Sequence, residues 1–344
     1  MQEGKGIHTQ QEILSQPKTW ANTLQFLKET WTNKLPDPKD YDQIIISGCG
    51  STYYYSLWAA RFLHLRLGIP SIALPGSELW YSGEEWIKPF KKILLISVSR
   101  SGKTTETLHA LDLFMNSGRG DALAITCYAD SPLAKKAPLS INTTAGMEKS
   151  IAQTRSFSNM MLPLIFLTER SISENLINTM RSCAQTMLDS YQAQARKLGN
   201  DTSIERFFFL GDGPLYGLAQ EVMLKMKEMS LSYSEAFHFL EFRHGPMSMV
   251  NEHSLVVGFT DQQRASFENP VFADMKNLGA QILAVGDEDA SLNCDHCFSI
   301  DPTLPDSWKY PLYLPLIQLI AYERSLSKGL NPDKPENLTA VVEL

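Results

Sequence analysis

Short apolar runs alternate along the chain with longer segments in which apolar residues recur every three or four positions. Ile93–Val98 shows the first pattern, because its consecutive apolar residues Ile93–Ile96 indicate a strand buried on both faces. Thr104–Met115 shows the second pattern, which predicts an amphipathic helix. The same alternation restarts after Ser173–Lys197, a polar and periodic segment that predicts a connecting helix.

Strands that alternate with helices indicate parallel sheets with right-handed crossovers. The predicted strands are Ile44–Ile46, Ser71–Leu74, Ile93–Val98, Ala122–Cys127, Ser140–Asn142, Phe207–Leu210, Ser254–Phe259, Gln281–Val285 and Cys297–Ile300. The predicted helices are Gln11–Thr32, Tyr53–Leu67, Thr104–Met115, Ser158–Arg170, Ser173–Lys197, Tyr216–Ser230, Phe272–Leu278 and Pro311–Lys328. We therefore predict an α/β protein with two tandem doubly wound (flavodoxin-like) parallel-sheet domains.

The two halves carry matching strand-to-glycine junctions. Ser47-Gly48-Cys49-Gly50 follows the first strand of one half, and Leu210-Gly211-Asp212-Gly213 follows the first strand of the other. This match favours a duplicated architecture, in which ligands bind at the carboxyl ends of the strands. The predicted division is an N-terminal helical segment at 1–38, domain 1 at 39–170, a connecting helix at 171–200, domain 2 at 201–330 and a tail at 331–344 that closes the site.

A cluster of hydroxyl groups surrounds a glycine at the end of the Ile93–Val98 strand, in Ser99-Arg100-Ser101-Gly102-Lys103-Thr104. A strand, a small-residue turn and a helix N-terminus leave backbone N–H groups that favour an anion. The loop is not a Walker motif, since Ser97 occupies the position of its first glycine. The loop is therefore either a phosphate cradle or an ordinary helix turn capped by serine or threonine.

A second candidate group lies on the predicted helix Tyr216–Ser230. Glu221, Lys225 and Glu228 are spaced i, i+4, i+7 and share one face of that helix. An exposed salt-bridged face is the simpler explanation of this spacing. The apolar residues between them favour burial instead, which suits general acid–base chemistry. His244 precedes Gly245-Pro246, so we expect a turn that presents its ring to a ligand.

Composition narrows the class of protein. The 344 residues, 43% hydrophobic and 20% charged, are typical of a soluble globular chain of about two domains. A net charge of −7 argues against nucleic acid as the main partner. No apolar stretch approaches the ~20 residues of a membrane span, and the first residues lack the apolar core of a secretion signal.

Cys294-Asp295-His296-Cys297 is either a partial metal motif or a loop entering a strand, and no metal is predicted. A cytoplasmic protein with reduced thiols is expected.

These motifs resemble the sugar isomerase (SIS) domain family. Ser99–Thr104 is similar to the phosphate loop of SIS domains. Four further segments resemble the isomerase half of glucosamine-6-phosphate synthase: Cys49–Thr52, Lys225–Glu228, Glu241–Pro246 and Asn331–Leu338. The matches keep their order from about Ile44 to Leu344, so the resemblance covers nearly the whole chain and implies two tandem SIS domains.

The resemblance implies a role for each matched residue. Glu228 would move a proton between C1 and C2 of the open-chain sugar, and Lys225, supported by Glu221, would lie beside the sugar oxygens. His244 would open the ring, and in the family this histidine reaches the site of the neighbouring subunit, which implies a homodimer. No cofactor is implied. The residues that would hold the phosphate share a hydroxyl group or a positive charge: Ser51, Thr52, Ser99, Arg100, Ser101 and Thr104.

The resemblance also implies an activity. Few residues precede domain 1, so we expect no glutaminase domain and a chain similar to the stand-alone SIS-type glucosamine-6-phosphate deaminases, which form fructose 6-phosphate and ammonia. The synthase has a Schiff-base lysine two positions after the Asn-Leu pair of its tail, where this chain has Ala340. Galactosamine 6-phosphate as the substrate, fructosamine-6-phosphate deglycation and a non-catalytic sugar-phosphate sensor are the alternatives. A sensor needs the cradle but has no use for Glu228 and His244 together.

Overall fold

The protein contains two parallel β-sheets flanked by helices. The computed structural model describes residues 4–32, 34–287, 291–339 and 341. The strands are β1 (Gln43–Gly48), β2 (Ser71–Pro75), β3 (Ile93–Val98), β4 (Gly120–Thr126), β5 (Leu139–Asn142), β6 (Arg206–Gly211), β7 (Tyr233–Phe237), β8 (Ser254–Thr260), β9 (Gln281–Gly286) and β10 (His296–Ser299). The helices are α1 (Ile7–Leu14), α2 (Gln16–Trp31), α3 (Ser51–Leu67), α4 (Gly76–Ile87), α5 (Thr105–Ser117), α6 (Pro132–Lys136), α7 (Arg155–Glu169), α8 (Glu174–Asn200), α9 (Pro214–Ser230), α10 (Phe239–Phe242), α11 (Ala265–Asn277), α12 (Asp306–Lys309) and α13 (Pro315–Ser327).

The strand order confirms the predicted doubly wound, flavodoxin-like fold. The first sheet has the order β2-β1-β3-β4-β5, and the second has the order β10-β9-β8-β6-β7. Within each sheet the strand that comes first in the chain lies between the second and the third strands, which is the flavodoxin-like order. All the pairs are parallel, and Ile44 pairs with Leu94 where β1 meets β3. Both strands are buried along their whole length, as their continuous apolar runs predict.

The chain divides into two compact units. The first unit contains β1–β5, and the second contains β6–β10. The first unit is Lys18–Glu148, Arg155–Asn178 and Thr339–Leu344; the second is Met1–Pro17, Lys149–Thr154 and Thr179–Leu338. Leu95, Leu111 and Phe114 belong to the core of the first unit. Phe208 and Phe272 belong to the core of the second unit.

Several elements differ from the sequence prediction: α11 begins at Ala265 rather than at Phe272, and the short helices α6, α10 and α12 were not predicted. Three further differences concern the first helix, β7 and α4. The predicted helix Gln11–Thr32 is divided into two helices. Helix α1 ends at Leu14, Ser15 is its C-cap, and α2 begins at Gln16. Strand β7 was not predicted, since its residues are short, mixed in polarity and at the edge of the second sheet. Helix α4 was not predicted as a helix, because Gly76 and Gly83 lower its helix propensity.

The chain ends of the second unit pack against each other. The Asp333 carboxylate accepts the backbone N–H of Thr9 at 2.8 Å and its hydroxyl at 2.7 Å. It also accepts the N–H of His8 at 3.2 Å, so a residue from the tail caps the first turn of α1. The amino-terminal helix and the start of the tail are thereby joined within one unit.

Candidate active site

The sequence-predicted site residues fall into two groups. Ser51, Thr52 and the Ser99–Thr104 loop belong to the first unit. Glu221, Lys225, Glu228 and His244 belong to the second unit.

The first group lies where β1 and β3 end side by side. The glycine turn after β1 leads into α3, and the Ser99–Thr104 loop after β3 leads into α5. The Cys49 thiol lies 3.7 Å from the Thr107 hydroxyl in the first turn of α5. The structure therefore brings two helix N-termini together at the carboxyl edge of the sheet, the arrangement that favours a bound anion.

Gly102 fixes the shape of the hydroxyl-rich loop. Its φ is +62°, and an added Cβ would lie 2.2 Å from the Ser131 hydroxyl oxygen. Its N–H donates to Ser99 Oγ at 3.1 Å, and its carbonyl accepts the N–H of Leu133 at 3.0 Å. Only glycine fits this close approach, so a side chain at position 102 would displace Ser131 or the loop.

The three loop hydroxyls are not equivalent. Ser99 is 2% exposed, accepts from Gly102 N and lies 3.1 Å from the Thr104 hydroxyl. Ser101 and Thr104 are partly exposed, and Ser101 Oγ accepts the N–H of Lys103 at 3.2 Å. Ser99 therefore stabilises the loop, while Ser101 and Thr104 are the hydroxyls accessible to a ligand.

Ser51 and Thr52 begin α3 and are nearly buried. Thr52 Oγ1 accepts the N–H of Cys49 at 2.8 Å and donates to the Cys49 carbonyl at 2.9 Å. An added Cβ on Gly48 would lie 2.6 Å from that hydroxyl, so the turn closes tightly. Thr52 is thus engaged in holding the glycine turn against the start of α3.

Arg100 lies beside a buried carboxylate. Its side chain is 8% exposed, and Nη1 lies 3.4 Å from Oε2 of Glu148, which is itself fully buried. Glu148 also accepts the N–H of Ser156 at 3.1 Å. Its negative charge offsets that of the guanidinium, so the role of Arg100 in phosphate binding stays a prediction.

Glu106 lies in the first turn of α5 and is not among the site residues predicted from the sequence. Its Oε2 is buried and has no hydrogen-bond partner among the described residues. Burial raises the pKa of the Cys49 thiol, and the Glu106 carboxylate adds to the rise. An acidic residue in a first helical turn is common, so no sequence signal distinguishes Glu106 from a residue that stabilises the helix dipole.

The second group centres on Lys225 in α9. Lys225 is 1% exposed and Glu221 is fully buried, which confirms burial of this face rather than an exposed salt-bridged one. Lys225 Nζ lies 3.4 Å from Glu221 Oε1 and donates to Glu228 Oε2. The Glu228 side chain is 19% exposed, so it is the member of this cluster that solvent or a ligand reaches most readily.

His244 lies in an exposed turn, as predicted. Its N–H donates to the Glu241 carbonyl at 3.0 Å, just after α10. Gly245 follows with φ +126°, a conformation that glycine adopts without strain. Its ring-opening role and its contribution to a neighbouring subunit stay predictions.

Cys294 and Cys297 flank the start of β10 rather than a metal centre. The ring of His296 accepts or donates one hydrogen bond with Gln194 at 2.7 Å, and Cys297 Sγ lies 3.7 Å from Ser299 Oγ. In the part of the chain that the structure describes, no group of three or more His, Cys, Asp or Glu side chains is placed to hold a metal ion. None of the described helices has the length and apolarity needed to cross a membrane.

Two doubly wound parallel sheets, with a hydroxyl-rich loop after the third strand of the first, define a tandem α/β protein. The family model of the SIS domain matches residues 39–169 and 202–305, more than half of the chain. The chain belongs to the SIS domain family.

Individual relatives agree with this assignment. The glutamine–fructose-6-phosphate aminotransferase (isomerizing) of Sulfolobus acidocaldarius is 30% identical over 340 residues, which is 96% of this chain and 55% of that protein. The chain thus spans about half the length of the curated relatives it matches. A crystal structure titled glucosamine-6-phosphate deaminase, from Thermotoga maritima, is 26% identical with a TM-score of 0.73, covering 96% of this chain and 100% of that one. The tagatose-6-phosphate ketose/aldose isomerase of Escherichia coli shares the fold, with a TM-score of 0.86 and 23% identity over 97% of this chain and 96% of that one.

Proposed function

We propose that this chain is an enzyme of the phosphosugar isomerase type that converts glucosamine 6-phosphate and water to fructose 6-phosphate and ammonia. The observation that carries the proposal is the ion cluster of Glu221, Lys225 and Glu228, in which Glu221 and Lys225 are buried and Glu228 is partly accessible. A binding protein has little use for an ammonium group buried between two carboxylates, because desolvating such charges is costly. A proton-transfer enzyme uses both kinds of group.

The phosphate cradle supplies the binding part of the proposal. The amino ends of α3 and α5 favour an anion, and Ser101 and Thr104 offer accessible hydroxyl donors. The relatives support a hexose 6-phosphate, since their names specify fructose 6-phosphate and glucosamine 6-phosphate. We therefore assign the phosphate of the substrate to this loop.

The chemistry begins with ring opening, in which His244 gives a proton to the ring oxygen and C1 becomes an aldehyde. Glu228 then removes the proton from C2, and Lys225 stabilises the negative charge that develops on the C1 oxygen. Glu228 then gives C1 a proton, either the one taken from C2 or one exchanged with solvent, which leaves an imine at C2. Water adds to C2 and ammonia leaves, so the atoms of glucosamine 6-phosphate and water are all accounted for.

Glu221 holds Lys225 in place, since the two side chains are buried 3.4 Å apart one helical turn from each other. The active form is proposed to be a homodimer, with His244 supplied by the partner subunit. Its exposed turn agrees with such a role.

Ala340 favours deamination over amination. An alanine has no amine and forms no imine with a ketose, whereas a deaminase starts with nitrogen already on the sugar. Ala340 lies outside the described residues, so this argument rests on the sequence. The 26% identical structure titled as a deaminase, which the chain covers in full, supports the same choice.

A deglycase that splits fructosamine 6-phosphates is the second candidate, because it would use the same cradle and the same acid–base residues. The experiment incubates the protein with glucosamine 6-phosphate, galactosamine 6-phosphate and fructosamine 6-phosphates, and measures ammonia and released amino acid. We expect ammonia from glucosamine 6-phosphate. Release of an amino acid alone would assign the deglycase activity, and no turnover of any substrate would contradict the enzyme proposal.

A further inference from the structure

The second sheet has its topological switch point where the first sheet has the phosphate cradle, between the first strand in the chain and the third. Strands β6 and β8 are neighbours, while β7 lies on the other side of β6. The turn Gly211–Gly213 begins at the last residue of β6, and the loop Asp261–Arg264 follows β8. Ligands of doubly wound sheets bind at such a switch point. We call this place the second crevice and define it by Asp212, Tyr216, His238, Asp261, Arg264 and Glu268.

The second crevice differs from the cradle in chemistry. Its loop has no run of hydroxyl groups, and carboxylates and a guanidinium replace them. Arg264 Nη1 lies 3.4 Å from Asp261 Oδ2, and a Cβ on Gly213 would lie 3.2 Å from Arg264 Nη2. The guanidinium therefore stands over the first turn of α9, with a third of its side chain exposed.

An aromatic pair borders the crevice. The rings of Tyr216 and His238 stack with centroids 4.0 Å apart and an angle of 19°. His238 Nδ1 lies 3.0 Å from Asp212 Oδ1, and the His238 side chain is 47% exposed. One face of the imidazole is against Tyr216, which leaves the other face for a ligand, beside a carboxylate.

Glu268 is a buried acid that the proposed reaction does not use. It is fully buried, its Oε2 accepts the N–H of Asp261 at 3.2 Å, and its Oε1 has no hydrogen-bond partner among the described residues. Burial, together with the carboxylates of Asp212 and Asp261, raises the pKa of Glu268 to about 8. Its carboxyl thus lies among the crevice residues and holds a proton at neutral pH, and an unpaired buried polar atom of this kind calls for a partner.

We propose that the second crevice binds the ring of a sugar that carries no phosphate. Asp212 and Asp261 disfavour an anion, and Arg264 disfavours a simple cation. Sugar hydroxyl groups suit both the carboxylates and the guanidinium, since a hydroxyl donates a hydrogen bond to a carboxylate and accepts one from a guanidinium. The apolar face of a pyranose ring packs on the free face of His238, as apolar groups do on aromatic rings. This site is formed by residues of the second unit, shares none with the phosphate cradle and does not depend on the proposed reaction.

Binding of D-glucose, D-galactose and N-acetylglucosamine to the full chain is measured by saturation-transfer NMR and titration calorimetry. We expect saturation transfer to the ring protons of at least one of these sugars. Asp212→Asn and Arg264→Gln should each weaken its binding by ~10-fold or more, because each removes a charge-assisted hydrogen bond. Asp189→Asn, at an exposed position of α8, is the matched control and should leave binding unchanged.

A second arm separates this site from the cradle. The Ser101→Ala, Thr104→Ala double variant should bind the unphosphorylated sugar as tightly as the wild type. No saturation transfer from any of the three sugars would overturn the proposal. The proposal would also be overturned if the cradle variant lost sugar binding while Asp212→Asn kept full binding. Circular dichroism checks that each variant is folded.

Discussion

Lys225 is the residue at which packing and the proposed chemistry meet. It is 1% exposed and contacts a buried glutamate on one side and a partly accessible one on the other. This arrangement assigns different tasks to two carboxylates of one helix face. Glu221 is placed to hold the ammonium, while Glu228 is accessible enough to exchange a proton with a substrate.

The first prediction concerns Glu228 itself. Glu228→Gln removes the proton carrier and keeps the size of the side chain, so turnover of glucosamine 6-phosphate should fall by ~10²-fold or more with little change in substrate binding. A coupled ammonia assay measures the rate. Glu252→Gln, an exposed glutamate of the same unit, is the control. Unchanged turnover in Glu228→Gln would remove Glu228 from the mechanism.

The loop hydroxyls give the second prediction. The Ser101→Ala, Thr104→Ala double variant loses the two accessible donors, so it should chiefly weaken binding of fructose 6-phosphate, as measured by calorimetry. Ser117→Ala, at the opposite end of α5, is the control because it is exposed and far along the same helix. Equal affinity of the double variant and the wild type would mean that the phosphate binds elsewhere.

At the scale of elements, the most accurate predictions are for helices and strands that have both a clear periodicity and clear signals at their ends. Strand β3 has the predicted bounds, and α9 ends at the predicted residue and begins two residues early, at Pro214. The burial of the Glu221 and Lys225 face also follows from the apolar residues around it. Strand β7 could not be predicted, because its pairing with β6 depends on long-range contacts rather than on its own pattern.

The ion cluster in α9 affects stability as well as activity. Lys225→Met leaves the buried Glu221 carboxylate without its ammonium neighbour, so the free energy of unfolding should fall by about 3–5 kcal/mol. Thermal and urea unfolding of the variant measure the loss. Lys227→Met on the exposed side of the same helix is the matched control and should change stability little. Equal losses in both variants would show that the buried pair does not stabilise the helix.

At the scale of the whole molecule, the duplicated pattern of the sequence predicts the fold of both halves but not the different chemistry of their strand-end loops. The paired glycine turns predict two similar sheets, and both have the same strand order. They do not predict that one crevice is rich in hydroxyls and the other in charges. The loop Asp261–Arg264 has no sequence motif, and the burial of Glu268 depends on how α11 packs in the second unit.

Glu268 makes stability depend on pH. A glutamate has an ordinary pKa of 4.5. Burial is the main reason that the pKa of Glu268 is raised to about 8. Between these values the folded state holds a proton that the unfolded chain has released, so stability falls as pH rises, by at most ~1.4 kcal/mol per unit. Glu268→Gln removes this effect, so its melting temperature relative to the wild type should rise steadily from pH 5 to pH 8. A difference that stays constant over this range would contradict the account.

The most direct test of the central claim is the fate of hydrogen at C1 of the product. The reaction is run in D₂O with glucosamine 6-phosphate, and the fructose 6-phosphate formed is examined by proton NMR. The Glu228 side chain is 19% exposed, so its carboxyl exchanges with solvent between taking one proton and giving the next, and part of the product should carry deuterium at C1. Product that forms at the normal rate without deuterium at C1, or no product at all from the wild-type protein, would contradict it.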